Sequence, residues 1–255
     1  MPASPMILAR FVLLEARRSG LPWLVGASLV AALGLAAFLS QVALTESIAL
    51  QVTFAAALLR GCAVFLVASH VAASTLREVD DKGLELMLTL PVSRSAHYAG
   101  RLSGYVALCA LVSLCFAVPL LLWSAPATVV LWAVSLAFET ALVAAAALFF
   151  SMALVQPVSA IAATAGLYLL ARAIGAVHAI AASPLTEPTL MHRVAQWSVD
   201  AVVLLLPRLD AATRSDWLVY GAPPATQYLT TLLGLALYAA LLLVAGLFDF
   251  HRRNL

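Results

Sequence analysis

Charge is scarce in this chain. Asp, Glu, Lys and Arg make up 10% of its 255 residues, against 64% hydrophobic. An ordinary soluble domain is about half apolar and about a quarter charged. Too little polar surface remains here to cover a water-soluble globule, so lipid must be the solvent for most of the chain. The net charge of +2 brings no basic stripe outside the membrane flanks, which argues against a nucleic-acid partner.

Paired cysteines are lacking too. Cys62, Cys109 and Cys115 each lie inside an apolar run, and none forms a C-x-x-C pair. They read as small buried side chains rather than disulfide partners or zinc ligands. A cleavable signal peptide is not expected, because Arg10, Glu15, Arg17 and Arg18 interrupt the first apolar run. Catalytic signatures are missing as well. No G-x-x-x-x-G-K followed by Ser or Thr occurs, so no phosphate-cradling loop is expected on this chain. Neither H-E-x-x-H nor G-x-S-x-G is present. His70, His97, His178, His192 and His251 are scattered over loops and span ends, and no metal site is expected from them. No internal repeat, low-complexity tract or separate soluble domain is visible.

What the chain has is long apolar runs. A helical span needs about 20 predominantly apolar residues. Six runs qualify, at 21–39, 48–74, 98–123, 127–154, 158–182 and 227–248. They are long and continuous, whereas barrel strands would be about ten residues of alternating polarity. The expected fold is therefore a single all-α polytopic membrane domain over 1–255. Orientation follows from basic residues near the span ends. With the N-terminus inside, the cytoplasmic side holds Arg10, Arg17, Arg18, Arg77, Lys82, Arg94, Arg101, Arg252 and Arg253. The outer side holds only Arg193, Arg208 and Arg214. Both termini are thus expected in the cytoplasm, with the chain crossing a bacterial inner membrane. Residues 5–19 place Ile7, Leu8, Phe11 and Leu14 at helical spacing, which predicts an amphipathic helix at the cytoplasmic interface. The external segment, 183–226, is rich in Pro and holds an apolar piece, Val199–Leu206, too short to span.

The loop at 76–97 is the most charged stretch. Leu84, Met87 and Leu88 make an apolar stripe at helical spacing, with Glu78, Asp81, Lys82 and Glu85 around it. Pro91 ends this short helix by pushing Leu90 out of the α region, and Ser95 is placed to cap the next one. The product is a cytoplasmic helix joined to a span on each side. It either passes force from a soluble partner into the membrane or serves as a solvated connector.

This loop resembles that of permease subunits of type-2 ATP-binding-cassette (ABC) exporters. Their loop commonly carries an acidic-basic pair, then Gly, Leu and Glu, then an apolar run ending in Pro, an aliphatic residue, Ser and Arg. Arg77, Glu78, Gly83, Leu84, Glu85, Pro91, Val92, Ser93 and Arg94 match. Many members carry Thr between the Gly and the Leu, and this chain does not. The resemblance extends to the interfacial N-terminal helix, the six spans and the basic tail at Arg252 and Arg253. It implies a homodimer, or a heterodimer with a related permease, bound to ATPase subunits that hold the ATP and Mg. It implies that residues 76–97, Leu88 among them, form the coupling loop, with the carboxylates of Glu78 and Glu85 reaching an ATPase groove. This chain would then be no enzyme and would carry no cofactor of its own.

Three charges fall inside spans: Arg60, Glu139 and Arg172. Each costs about 2.5–3.5 kcal/mol at a helix centre on insertion scales, so each should face protein or water. They form either a polar substrate path or an interhelical ion pair, Glu139 with Arg60 or Arg172. Gly100-x-x-x-Gly104 on the third span allows close helix approach. Two other readings stay open. A secondary transporter would use these ionisable groups as a relay, though no repeat or broken-helix pattern supports it. A non-transporting assembly factor would need a large external surface, for which only 183–226 is available.

Overall fold

The computed structural model describes residues 5–42, 47–80, 94–154, 156–181 and 190–252. Among these the chain is helical, without strands, and six helices are long and apolar enough to cross a membrane. This is an all-α polytopic membrane protein. Proline opens the first helix, α1 (Pro5–Arg18), as it later opens the fourth and fifth spans. At the first helical position its missing N–H costs nothing and its fixed φ suits the helix.

The chain turns sharply at Ser19 and Gly20, where Gly20 has φ +82°, and enters the first span, α2 (Leu21–Val42). The second span, α3 (Ser47–Asp80), continues past the apolar run into Glu78. The third, α4 (Arg94–Ala117), tightens into a 3-10 turn at Val118–Leu122, where Pro119 sits in its first residues. Two spans follow in quick succession, α5 (Pro126–Leu154) and α6 (Pro157–Ala181). Beyond them come α7 (Leu190–Leu205), a 3-10 turn at Leu209–Ala211, the short α8 (Asp216–Tyr220) and the last span, α9 (Ala225–Arg252).

The α5 span is the centre of the bundle. Its most apolar window is 61% buried, against 11% for α2 and 17% for α9. Val143 and Ala144–Ala147 are nearly inaccessible, and their small side chains let neighbouring helices approach closely. Thr140 and Ser151 donate their hydroxyls back to carbonyls one turn earlier, so neither is left without a partner in the interior. The outer helices expose large apolar side chains such as Trp23, Phe38, Leu233 and Leu241, as lipid-facing surfaces do.

The α1 helix has one apolar face beyond the stripe read from the sequence. Ile7, Phe11 and Leu14 face outward, each more than half exposed, while Val12 and Ala16 are buried. The helix is thus apolar on two faces. The inner face docks on α4 at Gly104, where an added Cβ would stand 2.7 Å from Val12 Cβ and 3.0 Å from the Ala9 Cα. The outer face is left for lipid. The glycine of the third span therefore seats the interfacial helix rather than another span.

Gly83, Leu84, Glu85, Leu88 and Pro91, and with them the short helix expected there, lie outside the described residues. So does the side chain of Arg94. The third span already begins at Arg94, so Ser95 lies inside that helix and is not its cap.

Candidate functional site

The bundle gathers its polar groups at two nodes, one toward each end. The first contains the three intramembrane charges. Arg172 of α6 places Nη1 3.3 Å from Glu139 Oε1 on α5. Tyr168, one turn before Arg172, donates its hydroxyl to the same carboxylate oxygen at 2.8 Å. Glu139 is wholly inaccessible.

Arg172 Nη1 also donates to the carbonyls of Leu209 at 2.7 Å and Ala212 at 3.0 Å. Arg60 of α3 donates to the carbonyl of Thr213 at 2.9 Å. One guanidinium nitrogen carries two hydrogens, so the two short contacts of Arg172 go to backbone, and its 3.3 Å approach to Glu139 is chiefly charge against charge. Of the two pairings open to Glu139, the ion pair is with Arg172. Arg60 has a separate task.

That task explains the segment between the fifth and sixth spans. Residues 209–213 enter the bundle without forming a regular α-helix, and Leu209, Ala212 and Thr213 are fully buried. Irregular backbone is tolerated at such depth only when protein groups satisfy it. Two arginines supply the donors for its carbonyls. Ser135 of α5 completes the seat, accepting from the Thr213 backbone N–H at 2.9 Å with the Thr213 hydroxyl 3.2 Å away. Thr213 has φ +47°, the left-handed region, which a β-branched residue rarely enters. Such strain persists only where the surroundings over-determine it. Here Ser135 and Arg60 hold both sides of the residue.

Above this node lies an open cleft of about 470 Å³, walled by Arg60, Arg172, Asp210, Arg214 and Asp216. Asp210 packs against Gly175 of α6, where any Cβ would overlap the carboxylate. Arg214 pairs with Asp216 at 2.7 Å. Three guanidinium groups thus face two carboxylates in the cleft wall. Sequence reading located Arg60, Glu139 and Arg172 but missed Tyr168, Ser135 and the 209–213 backbone. Carbonyl acceptors carry no residue-type signature; the unpaired excess of arginine over glutamate in the spans was the available cue.

The second node lies at the end of the bundle that carries both termini. Arg101 of α4 forms an ion pair with Glu78 at the end of α3. Its Nη2 donates to the Tyr105 hydroxyl at 2.6 Å and to Ser74 Oγ at 3.2 Å. Ser74 in turn donates to Glu15 of α1 at 2.8 Å. Arg101 and Ser74 are buried, and Glu78 is 18% exposed. Two expectations change here. Arg101, read as a charge flanking a span, is an internal linker. Glu78 is engaged within the chain, paired with Arg101. Arg77, by contrast, is exposed.

Among the described residues no group of three His, Cys, Asp or Glu is placed to hold a metal ion. Cys62, Cys109 and Cys115 are free thiols. His178 of α6 lies 3.2 Å from Asp200 of α7, linking those helices at an exposed position. No protein-family model and no curated protein matches the chain.

Proposed function

We propose that this chain is the transmembrane permease subunit of an ABC export complex of a bacterial inner membrane. In this reading it moves substrate with energy from ATP hydrolysed on separate ATPase subunits, which hold the nucleotide and Mg. It works as a homodimer or beside a related permease. The supporting observation is the node formed by Glu78, Arg101, Ser74 and Glu15. Glu78 stands just before residues 81–93 and Arg101 just after them, so the two helices flanking the loop are tied to each other and to α1. A push on that loop is delivered to three helices at once. A solvated connector has no need of such a clamp, whereas an element that transmits force does. Coupling then requires only that the partner contact the loop differently in two states.

The test is gentle detergent extraction from native membranes followed by purification on a tag placed on this chain. A soluble ATPase should co-purify in equal number. A fully active transporter containing this chain alone would overturn the reading, and a protonophore-sensitive, ATP-independent activity would put a secondary transporter in its place.

A further inference from the structure

We propose that the crevice between the end of α1, the start of α2 and the last turns of α3 is a binding site for the headgroup of an anionic phospholipid, phosphatidylglycerol being the simplest case. The inference requires only that the chain span a membrane and is independent of the transport reading. Two adjoining hollows of about 400 and 220 Å³ share Glu15, Ser19 and Arg77 as walls. Arg18, in the last turn of α1, stands on the rim with Arg77. Both arginines are exposed, and neither is in a salt bridge among the described residues.

The crevice is graded as an amphiphile is graded. Its deeper walls are apolar, Leu24 on α2 and Leu66 on α3. Leu66 and Arg77 are eleven residues apart on one helix, about 16 Å at 1.5 Å per residue. Its middle is polar, with Ser19, Ser74 and His70, whose Nε2 lacks a hydrogen-bond partner. Its mouth is cationic. Glu15 is the one acid in the lining, and its carboxylate is already engaged by Ser74. The nearby acid, Glu78, is taken by Arg101. Two uncommitted guanidinium groups thus outweigh one hydrogen-bonded carboxylate. Guanidinium is the side-chain group best matched to phosphate oxygens, and basic pockets between helices at the membrane surface bind anionic headgroups. A phosphodiester at Arg18 and Arg77 would leave its acyl chains to run down past Leu24 and Leu66.

Surface attraction to an anionic leaflet could imitate such a site, and Arg17 separates the two. It neighbours Arg18 but lines a different, apolar groove on the α4 side. Native mass spectrometry of the full chain would count retained dioleoylphosphatidylglycerol against dioleoylphosphatidylcholine. Wild type and Arg17→Gln should retain the anionic lipid equally. Arg18→Gln combined with Arg77→Gln should reduce retention at least tenfold. An equal loss in Arg17→Gln would reduce the effect to general surface charge and overturn the proposal. Full competition by glycerol phosphate would make this a site for soluble phosphate esters and would also overturn it. Should the double variant fail to fold, photoactivatable phosphatidylglycerol can be crosslinked to wild type in membranes. Label within residues 11–24 and 66–77 supports the site, and label confined to other segments refutes it.

Discussion

The two polar nodes use the same ingredients for different ends. Each has a glutamate, a buried or half-buried arginine and hydroxyl groups. At the node around Glu139 the arginines direct their best hydrogen bonds to backbone carbonyls of residues 209–213. At the terminal node Arg101 bonds side chains of α3 and α4, and Ser74 extends the link to α1. The node around Glu139 therefore stabilises a segment that forms no regular α-helix of its own. The terminal node instead fixes helices that would form without it. Losing the first should unseat a segment, and losing the second should loosen a joint.

Arg172→Ala should have the largest effect. It removes the donor to two carbonyls and the ion-pair partner of the buried Glu139, and orphaning one partner of a buried pair costs about 3–5 kcal/mol. Glu139→Ala should also lower thermal stability or expression more than it alters substrate choice. In a double-mutant cycle the pair should show strong coupling, because either single change strands the other charge. Melting temperature in one fixed detergent and yield from membranes are the readouts. If Glu139→Ala is fully stable yet loses transport, the charges line a substrate path and are not a packing device.

Arg101→Ala comes next. Glu78 is partly exposed and water can recover some of the loss, while Tyr105 and Ser74 keep each other at 3.2 Å. A charged hydrogen bond is worth about 1.5–3 kcal/mol, and the penalty should fall in that range. If the node is the joint of a coupling device, ATPase turnover and transport should come apart in this variant: ATP is hydrolysed while substrate movement falls. Parallel loss of both would make the node merely structural.

Gly104→Ala should cost less, about 1 kcal/mol, the low end of overpacking. The new methyl would press on Val12, and α1, which exposes its opposite face, can shift outward to relieve it. Faster protease cleavage after Arg10 or Arg17 than in wild type, with the spans unaffected, would report that shift. No change in cleavage would mean that α1 is held chiefly by Glu15 and Ser74.

The fold was legible because its signal is coarse. Six runs of the required length and polarity mark the spans, and the helices match them to within a few residues, apart from the extra turns that carry α3 on to Asp80 and α9 to Arg252. The charges inside the spans were legible as a set, since a charge in lipid must find company. Their partners were not, because Arg60 and Arg172 chose carbonyls, which every residue has. The second apolar face of α1 was not legible for a related reason. Ile7, Phe11 and Leu14 form the more conspicuous stripe, but close packing selected the smaller Val12 and Ala16 opposite Gly104. Arg101 was read as a flank charge because a basic residue near a span end is usually solvated, and only the fold brings Glu78 beside it.

The sharpest test of the terminal node comes from comparing two charge reversals in one stretch, of which Glu85→Arg should have the smallest effect on stability. Glu78→Arg sets a second guanidinium against Arg101, so it should destabilise the protein and weaken ATPase association together. Glu85→Arg has no such clash to make if its carboxylate serves the partner. It should leave the melting temperature and membrane insertion as in wild type while lowering co-purification of the ATPase. The loss would be several kcal/mol of association for a desolvated contact and about 0–1 kcal/mol for one at the rim. Glu187→Arg, in the segment between the fifth and sixth spans, is the control and should leave ATPase binding unchanged. The readout is ATPase recovered per permease at matched membrane levels, with stability measured on the same samples. If Glu78→Arg lowers association without lowering stability, Glu78 faces the partner and the clamp is not its purpose. If Glu85→Arg changes neither quantity, the loop is a connector, and the node at its base serves only to close a turn between two spans.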